Sequence, residues 1–207
     1  MNKTVSEAVI KRLPKYYKHL KELEQSGIVK VSSGKLAEML NITASQVRQD
    51  FCNFGGFGQQ GYGYDVVRLK NEISNILGLT RSYNLIIIGA GNIGRALASY
   101  KGFNSEGFNI IGAFDVMPKD RIISDNIPLF SMNELEDFTK NNKVDIAIIA
   151  TQKEAAREVA GRAVSAGIKN FWNFAPVELK LDKDVIIENV YMSESLNVLS
   201  YRMKNKD

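Results

Sequence analysis

Leu85-Ile86-Ile87-Ile88-Gly89-Ala90-Gly91-Asn92-Ile93-Gly94 is the stretch that decides the fold of this 207-residue chain. Four consecutive apolar residues read as a strand buried on both faces, and G-x-G-x-x-G follows without a gap. Gly89 permits a tight turn, Gly91 lets a pyrophosphate approach the backbone, and Gly94 lets the next helix pack close on the sheet. Ala90, Asn92 and Ile93 complete the loop, whose amides face an anion at the helix N-terminus. Asp115 lies 21 residues beyond Gly94, at the end of the next apolar run. A carboxylate there accepts hydrogen bonds from an adenosine ribose and repels a 2′-phosphate, which favours NAD(H) over NADP(H).

Toward the C-terminus the same alternation continues. Ile110–Phe114, Ile146–Ile149 and Phe171–Phe174 are short apolar runs, separated by helical patterns over Ile93–Tyr100, Met132–Asn142 and Lys153–Ala166. Strands apolar on both faces, alternating with helices, predict an α/β domain with a parallel sheet covered on both sides. A last strand is expected near Val185–Ile187, and Ser193 is read as the cap of a terminal helix reaching about Lys204. Residues 79–190 therefore form a Rossmann-like dinucleotide domain and residues 191–207 a C-terminal helix.

Toward the N-terminus the period is helical. Val9, Leu13, Tyr16, Tyr17, Leu20 and Leu23 recur at three- and four-residue spacing, with Pro14 kinking or starting the helix and Gly27 ending it. Ser32-Ser33 supplies the cap of a helix over Gly34–Leu40, Asn41-Ile42 turns the chain, and Thr43 caps a third helix from Ala44 to about Asn53. Two short helices joined by a tight turn predict a helix-turn-helix whose second member enters the major groove. The glycine- and aromatic-rich segment Phe54–Tyr64 suits a twisted β-hairpin, which makes residues 1–78 a winged-helix domain. Val66–Leu77 reads as a connecting helix ended by Gly78. Residues 1–78 carry 11 basic against 7 acidic side chains, whereas the remainder is balanced at 16 and 16. The whole net charge of +4 thus sits where a polyanion would be met.

Other function classes find little support. The N-terminus lacks the apolar core of a secretory signal, and no apolar run reaches the roughly 18–20 residues of a membrane span. Cys52 is the single cysteine, which fits a reducing cytoplasm and leaves no disulfide framework or metal cluster. A hydride-transferring enzyme needs a positioned acid or base. The one histidine, His19, precedes the glycine loop by 70 residues. Tyr17-x-x-x-Lys21 has the spacing of a dehydrogenase pair but lies on the wrong side of the fingerprint, and Cys52 falls within the recognition helix. Cofactor loop without catalyst points to sensing. Two alternatives stay open: a small NAD-dependent oxidoreductase with a helical extension, and a regulator gated by CoA or another nucleotide.

Val31-Ser32-Ser33-Gly34, Val47-Arg48-Gln49-Asp50, and Phe54-Gly55 through Gly61-Tyr62-Gly63-Tyr64 together resemble the N-terminal signature of the redox-sensing repressor Rex family. Gly89–Gly94, Asp115, Trp172-Asn173-Phe174-Ala175-Pro176 and Glu188-Asn189-Val190 are similar to its C-terminal half, in order and over nearly the full length. The resemblance implies a homodimer with the terminal helix swapped onto the partner. It also implies binding to palindromic double-stranded operator DNA upstream of fermentation and respiration genes. NADH would release the DNA and NAD⁺ would permit binding. It further implies that Ser45, Gln46, Arg48 and Gln49 face the DNA from the recognition helix, with Thr43 at its start. Ser32 and Ser33 would touch phosphate, and Gln59, Gln60 and Gly61 would lie along the minor groove. Thr151, Asn173, Phe174 and Pro176 would line the cofactor site near the nicotinamide. Tyr100, Tyr191 and Met192 would belong to the interface and switch. Gln49 and Gln59-Gln60 stand where the family often has basic residues, and Tyr191 where some members have Asp. Fewer phosphate contacts would lower the salt dependence of binding by roughly one counterion each.

Overall fold

The structure, a computed structural model, describes residues 5–55 and 63–205. The chain divides into two compact units, 1–81 and 82–207.

In the first unit, Pro14 settles the question of kink or start. A short helix α1 (Glu7–Ile10) is followed by a separate helix α2 (Leu13–Gln25) with Pro14 in its first turn, where no amide proton is needed. Gly27, at φ 72°, ends α2 in the left-handed region. Strand β1 (Lys30–Val31) leads to α3 (Ser33–Leu40), and the Ser32 side chain accepts from the amide of Lys35. Asn41 turns the chain at φ 55°, a conformation its short polar side chain tolerates. Thr43 then caps α4 (Ala44–Cys52) by accepting from the amide of Gln46. Strand β2 (Tyr64–Asp65) returns antiparallel to β1, and the Asp65 side chain caps α5 (Val66–Ile76). At Gly63 an added Cβ would come within 2.8 Å of the Val31 carbonyl oxygen, so the close backbone approach requires glycine. The rest of the expected wing, with Gln59, Gln60 and Gly61, lies outside the described residues. Leu13, Tyr16, Leu20, Leu36, Val47, Phe51, Leu69 and Ile73 form one apolar core beneath these helices.

The second unit is a seven-stranded sheet. Its strands are β3 (Tyr83–Ile88), β4 (Phe108–Asp115), β5 (Ile122–Ser124), β6 (Ile127–Ser131), β7 (Ile146–Ile149), β8 (Asn170–Asn173) and β9 (Ile186–Asn189). The order is β5-β6-β4-β3-β7-β8-β9, parallel except for the β5–β6 pair. Helices α6 (Asn92–Ala98), α7 (Gly102–Ser105), α8 (Leu135–Asn141), α9 (Lys153–Ser165) and α10 (Met192–Lys204) complete the unit. Side chains alternate between the faces: Ile86, Ile88 and Phe114 join a core with α8 and α9, while Leu85, Ile87 and Ala113 join one on the other face.

Three details differ from the sequence reading. The edge hairpin β5–β6 was not expected; its turn residues Asp125 and Asn126 both have positive φ, at 40° and 68°, without the glycine that usually marks such a turn. Pro128 within β6 further masks it, and a proline is tolerated near a sheet edge. The expected helix from Met132 opens as a short 3₁₀ turn, Met132–Glu134, held by a capping box between Ser131 and Glu134. Ser193 is not the cap of the terminal helix. That helix starts two residues earlier, at Met192, with Tyr191 at the cap position and no side-chain cap bond.

Both caps of the helix-turn-helix serve orphan amides, so Thr43→Ala should destabilise the N-terminal unit by about 1 kcal/mol. Denaturant unfolding followed by helix signal checks this, with Thr43→Ser expected to retain most of the stability.

Candidate functional site

Helix α4 exposes Ser45, Arg48, Gln49 and Cys52 on one face and buries Val47, Asp50 and Phe51 on the other. Its acidic residue is the decisive feature. Asp50 is 0 % exposed, one of two fully buried polar residues among those described. Arg12 donates to both of its oxygens, from Nε at 2.7 Å and Nη2 at 2.8 Å. The Tyr16 hydroxyl donates at 2.9 Å and the Gln46 side-chain amide at 2.8 Å. Burial pushes the Asp50 carboxyl up, but the hydrogen bonds from Arg12, Gln46 and Tyr16 together outweigh it and hold it below the ordinary carboxylate range. The hydrogen bond to Asp50 raises the Arg12 guanidinium in turn, so the pair stays ionised.

Gln46, expected to face DNA, has its side-chain amide on Asp50 in this structure. Its amide is turned inward because a buried carboxylate one helical turn away is a stronger partner than solvent. Arg48 stays outside and donates to Ser33 Oγ at 3.1 Å, bringing the start of α3 and the middle of α4 together. Ser45 Oγ and Thr43 Oγ1 lie 2.9 Å apart. Gln49 is exposed and makes no side-chain hydrogen bond among the described residues.

The second site follows from sheet topology. Strand order reverses at β3: the chain runs outward through β4 and β6, then returns to add β7 on the other side of β3. Loops after the carboxyl ends of β3 and β7 therefore diverge and leave a crevice. A cavity of about 360 Å³ opens there, touching Gly89, Gly91, Asp115, Thr151 and Gln152. Gly89 sits at φ 109°, and a Cβ there would fall 2.6 Å from the Ala150 carbonyl oxygen. At Gly94 a Cβ would meet the Gly89 carbonyl oxygen, so that glycine packs the helix on its own loop. Gly91 is different. Its backbone is extended (φ −72°, ψ −169°) and a Cβ would meet no protein atom within 4 Å. Nothing among the described residues demands glycine at that position, which faces open space. Asp115 accepts from the amides of Ala90 and Met117 at 2.8 and 2.9 Å, tying the glycine loop to the turn after β4. Thr151 Oγ1 is buried and has no hydrogen-bond partner, an orphan at the cavity wall. Asn92 and Ile93 begin α6, ahead of its first intrahelical bond from the Arg95 amide to the Gly91 carbonyl.

Other expected residues do not join this cavity. Asn173 is fully buried: it donates to the Val177 carbonyl and to Asn189 Oδ1, each at 2.8 Å, and accepts from the Ala175 amide. Its side chain shapes the loop after β8, since a buried amide must satisfy both ends. Phe174 is half-buried against Trp172, ring centroids 4.6 Å apart, and Pro176 is exposed beyond it. Tyr100 is 60 % exposed with its ring 4.8 Å from that of Phe103. Tyr191 is half-buried and Met192 exposed at the start of α10. Conversely, Met117, Met132, Gln152, Ala155 and Val159 line the cavity and were not singled out from sequence. Met117 and Gln152 do follow the carboxyl ends of β4 and β7, a signal that topology alone supplies.

Comparison with known proteins accords with this geometry. Residues 4–52 match the family "Putative DNA-binding protein N-terminus", and residues 80–177 match the family "CoA binding domain". The redox-sensing transcriptional repressor Rex of Clostridioides difficile (strain 630) is 52% identical over 206 residues, covering 98% of this chain and 97% of that protein. The chain belongs to the Rex family of redox-sensing transcriptional repressors. The Rex repressor of Thermoanaerobacter sp. (strain X514) is 48% identical over 204 residues, covering 98% of this chain and 91% of that one. Among solved structures, RSP in complex with β-NAD⁺ and operator DNA aligns with TM-score 0.90 at 48% identity, over 99% of this chain and 94% of that one. RSP in complex with β-NADH aligns with TM-score 0.90 at 44% identity, over 99% and 96%. Relatives named as transcriptional repressors answer the oxidoreductase alternative, and a neighbour holding NADH answers the CoA-gated one. Among the described residues no helix is long and apolar enough to cross a membrane, and no cluster of His, Cys, Asp and Glu is arranged to hold a metal.

A carboxyl held below its ordinary value stabilises the fold above the unfolded-state pKa of about 3.9 and stops doing so as pH falls through the folded value. Helix content of the N-terminal unit should therefore fall away below about pH 4. Asp50→Asn should flatten that acid limb while lowering stability at pH 7 by roughly 3–5 kcal/mol, because Arg12 is left without its partner. Denaturant midpoints measured across pH check both.

Proposed function

We propose that this protein is a cytoplasmic, homodimeric repressor that holds a palindromic operator when NAD⁺ is bound and leaves it when NADH binds. It thereby reads the NADH/NAD⁺ ratio to control fermentation and respiration genes. One observation carries the sensing half: the open space at Gly91 beside the unpartnered hydroxyl of Thr151, closed off by the Asp115 carboxylate. Those residues suit a dinucleotide. The Asn92 and Ile93 amides and the Gly91 backbone would face the pyrophosphate, Thr151 Oγ1 would gain a polar partner, and Asp115 would accept from a ribose hydroxyl while keeping its two backbone donors. A bound nicotinamide supplies only a change of ring charge and shape between its oxidised and reduced forms.

Ser32, Ser33 and Arg48 would hold phosphate or base edges at the mouth of the helix pair, with Ser45 and Gln49 in the groove. Homodimerisation is supported by α10. None of its residues is buried, and Met192, Leu196, Leu199 and Met203 form an exposed stripe at heptad-like spacing. An apolar groove of about 530 Å³ on the same unit, lined by Phe103, Phe108, Ile146 and Trp172, offers a surface for a second copy. The swapped arrangement of α10 and the switch roles of Tyr100, Tyr191 and Met192 belong to this reading.

A duplex selected by the protein from a random-sequence pool provides the test, with binding followed by fluorescence anisotropy. NADH should dissociate the complex and NAD⁺ should not; equal responses to both would overturn the redox switch. Gly91→Ser keeps a good helix cap and an allowed backbone, so its unfolding midpoint should match the parent. The NADH needed for release should rise on the order of tenfold, the equivalent of about 1.4 kcal/mol of lost binding.

A further inference from the structure

We infer that the Arg12–Asp50 ion pair is a positioning device for base recognition: it fixes how α4 is turned about its axis, so that Gln49, with Ser45 beside it, reads the operator while Gln46 is withdrawn from that task. The inference rests on α4 being the recognition helix.

An ionised carboxylate offers about four lone-pair positions. All four are taken at Asp50, two by Arg12 and one each by Tyr16 and Gln46. Arg12 is the residue immediately before α2, and its carbonyl accepts the first amides of that helix from Lys15 and Tyr16. The clamp therefore joins the α1–α2 corner to the middle of α4 across 38 residues of sequence. Apolar contacts from Val47 and Phe51 hold α4 against the core, yet such contacts are not directional and tolerate small rotations. A bidentate guanidinium–carboxylate pair does not, because both donors lose geometry together. The margin is narrow. At the outer radius of a helix, roughly 5–6 Å, a rotation of about 20° displaces a side-chain tip by about 2 Å. That exceeds the tolerance of a hydrogen bond to a base edge.

Gln46 and Gln49 are separated by this clamp. Both carry amides able to make a bidentate contact with adenine. Gln46 donates its amide to Asp50 and is half-buried, whereas Gln49 is exposed and its side chain has no hydrogen-bond partner among the described residues. Turning Gln46 outward would cost the carboxylate a donor in a site closed to water. Turning Gln49 toward DNA costs nothing within the protein.

The test compares full-length Gln46→Ala, Gln49→Ala and Arg12→Lys with the parent. Affinity is measured by anisotropy for the pool-selected duplex and for a scrambled duplex of equal length and salt. NADH affinity is measured by ligand fluorescence on the same preparations. Gln49→Ala should lower the selected-to-scrambled ratio by about fivefold or more, the low end of one base contact. Gln46→Ala should hold the ratio within about twofold, since three donors remain on Asp50. Arg12→Lys keeps the charge but loses the fork. It should lower the ratio while leaving scrambled-duplex and NADH affinities unchanged, which a smaller folded fraction would not do. Equal losses from Gln46→Ala and Gln49→Ala would overturn the inference, as would an Arg12→Lys variant that loses both duplexes by one factor or neither. Should Arg12→Lys not fold, the two glutamine variants still decide it. A parent chain with no preference for its selected duplex would instead remove the recognition-helix reading on which the inference rests.

Discussion

The contact between the glycine loop and the end of β7 is the constraint from which the sensing unit follows. Gly89 passes so near the Ala150 carbonyl that any side chain would collide. That closeness exists because β7 pairs directly with β3 after the chain has already run out to β6 on the other side. The reversal opens the crevice, the tight turn aims the start of α6 into it, and Asp115 locks the loop from the β4 side. Two glycines, Gly89 and Gly94, are thus required by the protein's own packing. Gly91 faces open space at the mouth of the crevice instead.

The N-terminal unit solves the opposite problem. A recognition helix must present polar side chains to DNA and still be held rigidly by a small core. Apolar burial supplies attachment through Val47 and Phe51, and the buried Asp50 with its four donors supplies orientation. A buried ion pair contributes little net stability compared with apolar packing of equal volume, so its value here is directional.

Much of this was legible in the sequence. The strand–glycine loop–helix unit carries its own chemistry, and the caps at Ser32 and Thr43 mark both helices of the DNA-binding motif. Asp115 could be placed by spacing alone. What sequence could not supply was the destination of particular side chains. Gln46 looks identical to Gln49 in a helical pattern, and only the partner 38 residues from Arg12 distinguishes them. Asn173 stands beside a motif that suggests ligand contact, yet its amide is consumed by its own loop. The β5–β6 hairpin escaped because Asp125 and Asn126 adopt positive φ without glycine, and because Pro128 argues against a strand. Cavity-lining residues such as Met117 and Val159 carry no chemical signature; they are found only once the sheet order is known.

NADH and operator DNA oppose one another through one equilibrium, and linkage makes the coupling reciprocal. The most direct measurement is therefore the dissociation constant of NADH, and separately of NAD⁺, for the protein alone and for the protein saturated with its selected duplex. DNA should weaken NADH binding by the same factor by which NADH weakens DNA binding, while NAD⁺ affinity is unchanged or improved. Identical NADH affinities with and without DNA would rule out this coupling, because no free energy would then connect the two units.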